Sequence, residues 1–463
     1  MTHPPLSSHL FPKEDTICAL ATATGGALGI IRISGPVAFS AVSSLCSLNC
    51  DTVAANTVHY ARIGNTDEVM VSVFRAPHSY TGEDSVELSC HGSPYILNNV
   101  LEQLISNGCR MAHPGEFTMR AYLNGKMDLS QAEAVADLIA STNKATHDMA
   151  FSQLRGHFSS ELKTLREQLL RLTSLLELEL DFSDHEDLQF ADRTELHDLA
   201  QNIDSRIMHL ARSFETGKAL KKGIPVAIVG KTNVGKSTLL NALLRDDRAI
   251  VSDIHGTTRD TIEDTIDIRG VTFRFIDTAG IRQTSDEIER IGIDRTYAAI
   301  DKASIVLWIF DEETDDDEAR DMAVRCRERS LIPVWNKADL RPSAPLLPPL
   351  TPYFSSPLSP LLISAKYGQG IEALETAIYE AAAIPELKEN DVVVTSARHY
   401  EALLLAHDSL LRVIEGLEMQ LSGDLLSEDL RLVLSNLAEI TGEGQITTQE
   451  TLNNIFSHFC IGK

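Results

Sequence analysis

Positive charge is scarce in this chain: 41 lysines and arginines stand against 66 acids, a formal net charge of −25 over 463 residues. A surface of that sign does not coat nucleic acid electrostatically, so any contact with RNA must come from a local patch or a partner. Long apolar runs are missing as well. The longest candidate, SIVLWIF at 304–310, is strand-sized and far short of a membrane span. The seven cysteines are scattered without CxxC spacing, and Cys46 with Cys50 alone makes no metal site, so reduced thiols in a cytoplasmic protein are expected. The opening MTHPPLSSHLFPKEDT lacks the basic-then-apolar pattern of a secretory signal. A convincing GxGxxG dinucleotide loop is also missing.

What is present divides by rhythm, and the length calls for several domains. Residues 1–118 alternate short β-like runs (GALGIIRISG, EVMVSVFRAP, SVELSCHGS) with turn signals, an α+β pattern. Residues 119–217 turn helical, with apolar residues three and four apart through the long stretch 145–182. Strands and helices alternate over 218–385 as in a parallel-sheet α/β domain. Residues 386–463 are helical again. Amphipathic helices on both sides of an α/β unit bury their stripes most economically against one another. The expected fold is therefore multidomain α/β plus α: an α+β N-terminal domain, a discontinuous all-α domain, and a P-loop α/β domain inserted into it. A Pro-rich stretch at 341–360 reads as a surface loop, and the acidic run DEETDDDEARD at 311–321 as a solvated face.

GKTNVGKST at 230–238 follows an apolar strand and opens a helix, the context a phosphate-binding loop requires. Gly230 and Gly235 let backbone amides approach phosphate, with Asn233, Val234 and Thr238 completing the cradle. Lys236 meets the β- and γ-phosphates and Ser237 binds magnesium. Ser252, Asp253, Ile254, His255, Gly256, Thr257 and Thr258 follow at the distance of a first switch loop, with Thr258 suited to complete the magnesium shell. Asp277, Thr278, Ala279 and Gly280 end a strand that forms a hairpin with TIEDTIDIR. Asn336, Lys337, Ala338 and Asp339 would read guanine, and Ser364, Ala365 and Lys366 can close over the base. Asp339 can accept from guanine N1–H and N2–H₂, which adenine lacks, so GTP is the expected nucleotide. Where many GTPases place a water-orienting glutamine this chain has Ile281, and no arginine finger is evident.

Together with GIIRISGP, YTGEDSVELSCHG, HPGEFTMRAYLNGKMDLSQAEAVADLI and the terminal CIGK, these motifs make the chain resemble, along nearly its whole length, the tRNA-modifying GTPase family MnmE (TrmE) of the TrmE-Era-EngA-YihA-septin-like class. That resemblance implies potassium-dependent hydrolysis completed when two GTPase domains pair, with Asn233, Ser252, Ile254 and Thr257 as potassium ligands. On residues alone, Asn233 reads equally as a turn former. The family's water-orienting glutamate matches Glu289, one of four acids with Asp286, Glu287 and Asp294 in a helix-forming segment. The N-terminal domain matches a dimerising module that binds tetrahydrofolate (5,10-methylene or 5-formyl) through Arg32, Glu87, Lys126 and Lys463. Without the family these would be ordinary strand and turn positions. Cys460 matches a cysteine near the folate pocket, as nucleophile, pocket wall or small apolar cap. The implied reaction is aminomethyl-type modification at C5 of the tRNA wobble uridine. The implied partner uses FAD and NADH (MnmG, also called GidA), and glycine or ammonium supplies the amine. A ribosome-assembly GTPase and a non-catalytic GTP-gated scaffold are the competing readings; the first normally carries a basic RNA-binding module.

Overall fold

The computed structural model describes residues 15–181, 193–245, 264–276, 297–312, 316–340, 359–385, 391–442, 449–457, 459 and 462. From the N-terminus come β1 (Thr16–Leu20), β2 (Leu28–Ser34), α1 (Ala38–Leu45), β3 (Thr57–Ile63), β4 (Asp67–Phe74), β5 (Ser85–His91), α2 (Pro94–Ser106) and β6 (Cys109–Met111). The strands form one sheet in the order β3-β4-β5-β2-β1-β6, antiparallel except where β6 joins β1. In β4 the alternation of the sequence buries Val69, Val71 and Val73 and turns Glu68 and Met70 outward, the period of a one-sided sheet. Val42 of α1 and Leu97, Val100 and Leu104 of α2 join Ile31, Val71 and Leu88 in the core.

Helices follow: α3 (Glu116–Leu123), α4 (Leu129–Ala140), α5 (Lys144–Leu154), α6 (His157–Asp181) and α7 (Arg193–Lys222). The continuous helical spacing over 145–182 conceals a break after Leu154. There Gly156 takes a left-handed φ of 84°, a conformation that ends helices and favours glycine. Along α6 the buried residues are Phe158, Leu162, Leu165, Leu169, Leu172 and Leu176, a four-three alternation that lays one seam along the helix.

The α/β part comprises β7 (Ile224–Val229), α8 (Lys236–Arg245), β8 (Asp264–Ile268), β9 (Val271–Phe275), β10 (Ile305–Phe310), α9 (Asp316–Arg325), β11 (Ser330–Trp335), β12 (Leu361–Leu362) and α10 (Ile371–Ala381). Its sheet runs β12-β11-β10-β7-β9-β8, parallel except for the β8–β9 hairpin. Every residue of β10 is buried, because helices cover both faces of a parallel sheet. Ile305, Leu307 and Ile309 share a core with Leu239, Leu243, Leu374 and Ile378. Val306, Trp308 and Phe310 pack on the other face with Ala319 and Ala323 of α9.

Among the described residues α11 (Ala397–Glu418), α12 (Gly423–Thr441) and α13 (Gln449–Ser457) follow. In α12 Leu426, Leu430, Val433, Leu437 and Ile440 are buried, and α12 packs against α6. Each such leucine contributes roughly 1.5–3 kcal/mol relative to exposure. The two helical segments flanking the α/β part thus bury their seams together, as their spacing implies.

Two compact units result, one from Met1–Ala140, Gln153–Ile207 and Glu401–Lys463, the other from Ser141–Ser152 and Met208–Tyr400. Among the described residues no helix is long and apolar enough to cross a membrane.

Candidate nucleotide-binding site

Between β7 and α8 the chain reverses through Gly230 at φ 154° and Gly235 at φ 99°. A Cβ at Gly230 would lie 2.2 Å from the Ile309 carbonyl oxygen, and one at Gly235 2.3 Å from Asn336 Nδ2. Only glycine fits, and the main chain is left open to close approach. Asn233 sits in the left-handed region at φ 64°, where asparagine is the most tolerant residue after glycine. Lys236 Nζ donates to the carbonyls of Gly230 at 2.6 Å and Lys231 at 2.7 Å. Burial pushes its ammonium below the ordinary lysine value, since desolvation penalises an unpaired charge. The N-terminal amides of α8 add a partial positive charge at the same place.

Three loops meet on one amide. Asn336 Nδ2 donates to the Val234 carbonyl at 2.8 Å, and its Oδ1 accepts from the Ala365 amide at 3.1 Å. The phosphate loop, the NKAD turn and the SAK segment are thereby fastened together. Asp339 Oδ1 accepts from the Ser364 hydroxyl at 2.6 Å, which fixes the carboxylate while leaving lone pairs for further donors. Lys337, itself at φ 60°, donates from Nζ to the Asn233 carbonyl at 2.8 Å. Lys366 lies beside the Tyr367 ring, 5.1 Å from its centroid. Asn233, Val234, Gly235, Lys236, Asn336, Lys337, Asp339, Ser364 and Ala365 are therefore linked as one cluster, with Ser237 and Thr238 in the first turn of α8 and Ala338 beside β12 through a bond to the Ile363 carbonyl.

Other expected residues lie outside the described residues: Ser252, Asp253, Ile254, His255, Gly256, Thr257 and Thr258, then Asp277, Thr278, Ala279, Gly280 and Glu289, and finally Cys460 and Lys463. Their neighbours in sequence are described. The β8–β9 hairpin joins the two loop segments, as the sequence implies. Phe459 is buried, and Gly462 packs on the end of β1.

In the N-terminal sheet the antiparallel register of β2 and β5 sets Arg32 opposite Glu87. Arg32 Nε and one terminal nitrogen each reach Glu87 Oε1 at 2.8 Å, and the other terminal nitrogen donates to the Gly462 carbonyl at 3.3 Å. The rings of Tyr80 and Phe117 lie 5.4 and 5.7 Å from the guanidinium. Lys126 Nζ donates to the Pro77 carbonyl at 2.9 Å. It lines a cleft of about 470 Å³ with Tyr122, Met127, Asp128, Gln131 and Gly442, to which neither Arg32 nor Glu87 contributes.

A denser charged group went unread in the sequence. Arg120 donates to Asp15, Glu83 and Glu116, and Arg110 to Asp15 and Glu116. The Glu116 side chain is 0% exposed and that of Arg120 6%. Burial pulls the Glu116 carboxyl up, but the Arg110 hydrogen bonds, the His113 amide and both guanidinium charges prevail and hold it below the usual range. The signal available was local: Glu116 and Arg120 are four apart in HPGEFTMR, one helical turn.

A glycine-lined loop between strand and helix, a lysine over it and the NKAD turn stitched behind it define a P-loop GTPase domain. The family is then settled by comparison. A family model described as the MnmE helical domain matches residues 129–460, and one described as the GTP-binding protein TrmE N-terminus matches 16–126. A protein of Phocaeicola vulgatus named tRNA modification GTPase MnmE is 52% identical, over 97% of this chain and 99% of its own. Proteins of the same name from Bacteroides fragilis and Parabacteroides distasonis are 53% and 54% identical, each over 97% of this chain and 100% of theirs. The chain belongs to the MnmE family.

Proposed function

We propose that this chain is a GTP hydrolase whose turnover drives modification of tRNA at C5 of the wobble uridine. The observation that carries the reading is the Asn336 knot, which holds phosphate loop, base-reading turn and closing segment in one arrangement while Ser364 orients Asp339. The relatives' shared name supports extending both its parts, GTPase and tRNA modification, to this chain.

In this reading Gly235 and the α8 amides cradle the phosphates and Lys236 pairs with them. Magnesium held by Ser237 and Thr258, and potassium held by Asn233, Ser252, Ile254 and Thr257, would neutralise charge that an arginine finger neutralises in other GTPases. Glu289 orients water where Ile281 cannot. The domains are taken as 1–118, 119–217, 218–385 and 386–463, with homodimerisation through the first. Arg32 and Glu87, flanked by Tyr80 and Phe117, suit the pterin of a tetrahydrofolate one-carbon donor, because a carboxylate accepts from its amino and N3–H groups. Lys126 and Lys463 would meet the acidic tail, and Cys460 would line the pocket. Redox steps belong to an FAD-containing partner, MnmG.

Hydrolysis measured in potassium and in sodium chloride at equal strength tests the ion. Potassium is expected to accelerate turnover about tenfold or more. Asn233→Gly, which keeps the turn and deletes the amide, is expected to erase the difference. Equal rates in both salts for the unaltered chain would remove the ion from the mechanism. Mass analysis of wobble uridines after gene deletion tests the tRNA half, and an unchanged nucleoside profile would contradict it.

A further inference from the structure

The acidic run at 311–321, read from sequence as a solvated face, reaches the nucleotide loops at two points. Asp311, immediately after β10, forms an ion pair with Lys337, Oδ2 to Nζ 2.6 Å. The same ammonium donates to the Asn233 carbonyl at 2.8 Å. Glu318 of α9 pairs with Lys231, Oε2 to Nζ 2.7 Å, and the Lys231 carbonyl accepts from Lys236. Both flanks of the phosphate loop are thus connected to this run.

We propose that Asp311 is a positioning residue for the phosphate loop, acting through Lys337 to brace the left-handed turn at Asn233, with Glu318 steadying the opposite flank through Lys231. A lysine side chain loses rotamer freedom when held in place, so a single carbonyl is a weak anchor for it; the Asp311 carboxylate supplies a second, charged partner that fixes the ammonium over the loop. The Asp311 side chain is 21% exposed and that of Lys337 39%, whereas Lys231 is 67% exposed. Solvent screens the second pair more strongly, and the Asp311 arm dominates. The sign of its effect is diagnostic. An acid beside a polyphosphate site repels the ligand by its field, so deleting it should tighten binding if charge alone mattered. Positioning demands the opposite.

The proposal rests on the guanine-nucleotide reading above. The test is the dissociation rate of N-methylanthraniloyl-GDP from the full-length chain. Asp311→Ala and Asp311→Asn are expected to release it about tenfold faster, the scale of a charge-assisted bond, and Asp311→Glu to recover part of the loss. Glu318→Ala is expected to accelerate release about twofold. In a Lys337→Met background, Asp311→Ala should add nothing further. Slower or unchanged release from Asp311→Ala, or additivity with Lys337→Met, overturns the proposal while leaving nucleotide binding standing. An unaltered chain that fails to bind the probe overturns both.

Discussion

Glu116 is buried and Lys236 half-buried, and both are charged, yet their surroundings treat the charge in opposite ways. Around Glu116, two guanidinium groups and a backbone amide more than offset burial, and the carboxyl is held ionised below its usual range. Around Lys236 the partners are main-chain carbonyls, and burial pushes the ammonium below its usual value. The first charge is satisfied by the protein; the second gains most from an incoming anion. One charge is enclosed by opposite charges and the other only by carbonyl dipoles, which is what the two directions reflect.

Substitutions at the two places should part company accordingly. The largest expected effect is in the N-terminal unit. Glu116→Ala leaves Arg110 and the buried Arg120 short of a carboxylate, which costs about 3 kcal/mol of stability, measurable by urea unfolding, with guanine-nucleotide affinity unchanged. Because the folded Glu116 value is depressed, its contribution is present above the ordinary glutamate range and fades as pH falls through the folded value. The gap between variant and unaltered chain should narrow on acidification; a gap independent of pH would break the first half of the comparison. Next in size, Gly235→Ala drives a Cβ into the Asn336 amide and strains a positive φ. It is expected to weaken N-methylanthraniloyl-GDP binding about a hundredfold, the scale of ~1–3 kcal/mol of strain plus a lost bond, with little change in the N-terminal unit's unfolding. Affinity within twofold of the original would break the second half.

The strand–loop–helix at 230–238 and the turns at 336–339 and 364–366 were legible in the sequence because each is a short motif at the end of a strand, and glycine spacing with flanking apolar runs is local information. The Asn336 knot was legible only as a motif, since its bonds span 102 and 29 residues. The arginine–carboxylate group was not legible: Asp15 lies 95 residues from Arg110 and 105 from Arg120, and only the Glu116–Arg120 step is a helical repeat. The acidic run is solvent-facing at Glu312, Asp317 and Asp321, as its composition reads, and departs from that reading at Asp311 and Glu318. A composition of like charges reads as solvent-facing, and only the meeting of β10 with β11 shows that its first residue is beside Lys337. The helical seams, by contrast, followed directly from four-three spacing, apart from the turn at Gly156.

The most direct measurement is base selectivity in the full-length chain and in Asp339→Asn. With Asp339 oriented by Ser364, the unaltered chain should bind GDP and discriminate against ADP and XDP. The variant, offering an amide donor in place of an acceptor, should prefer XDP. Equal binding of ADP and GDP, or a variant that keeps its preference for GDP, would contradict the account.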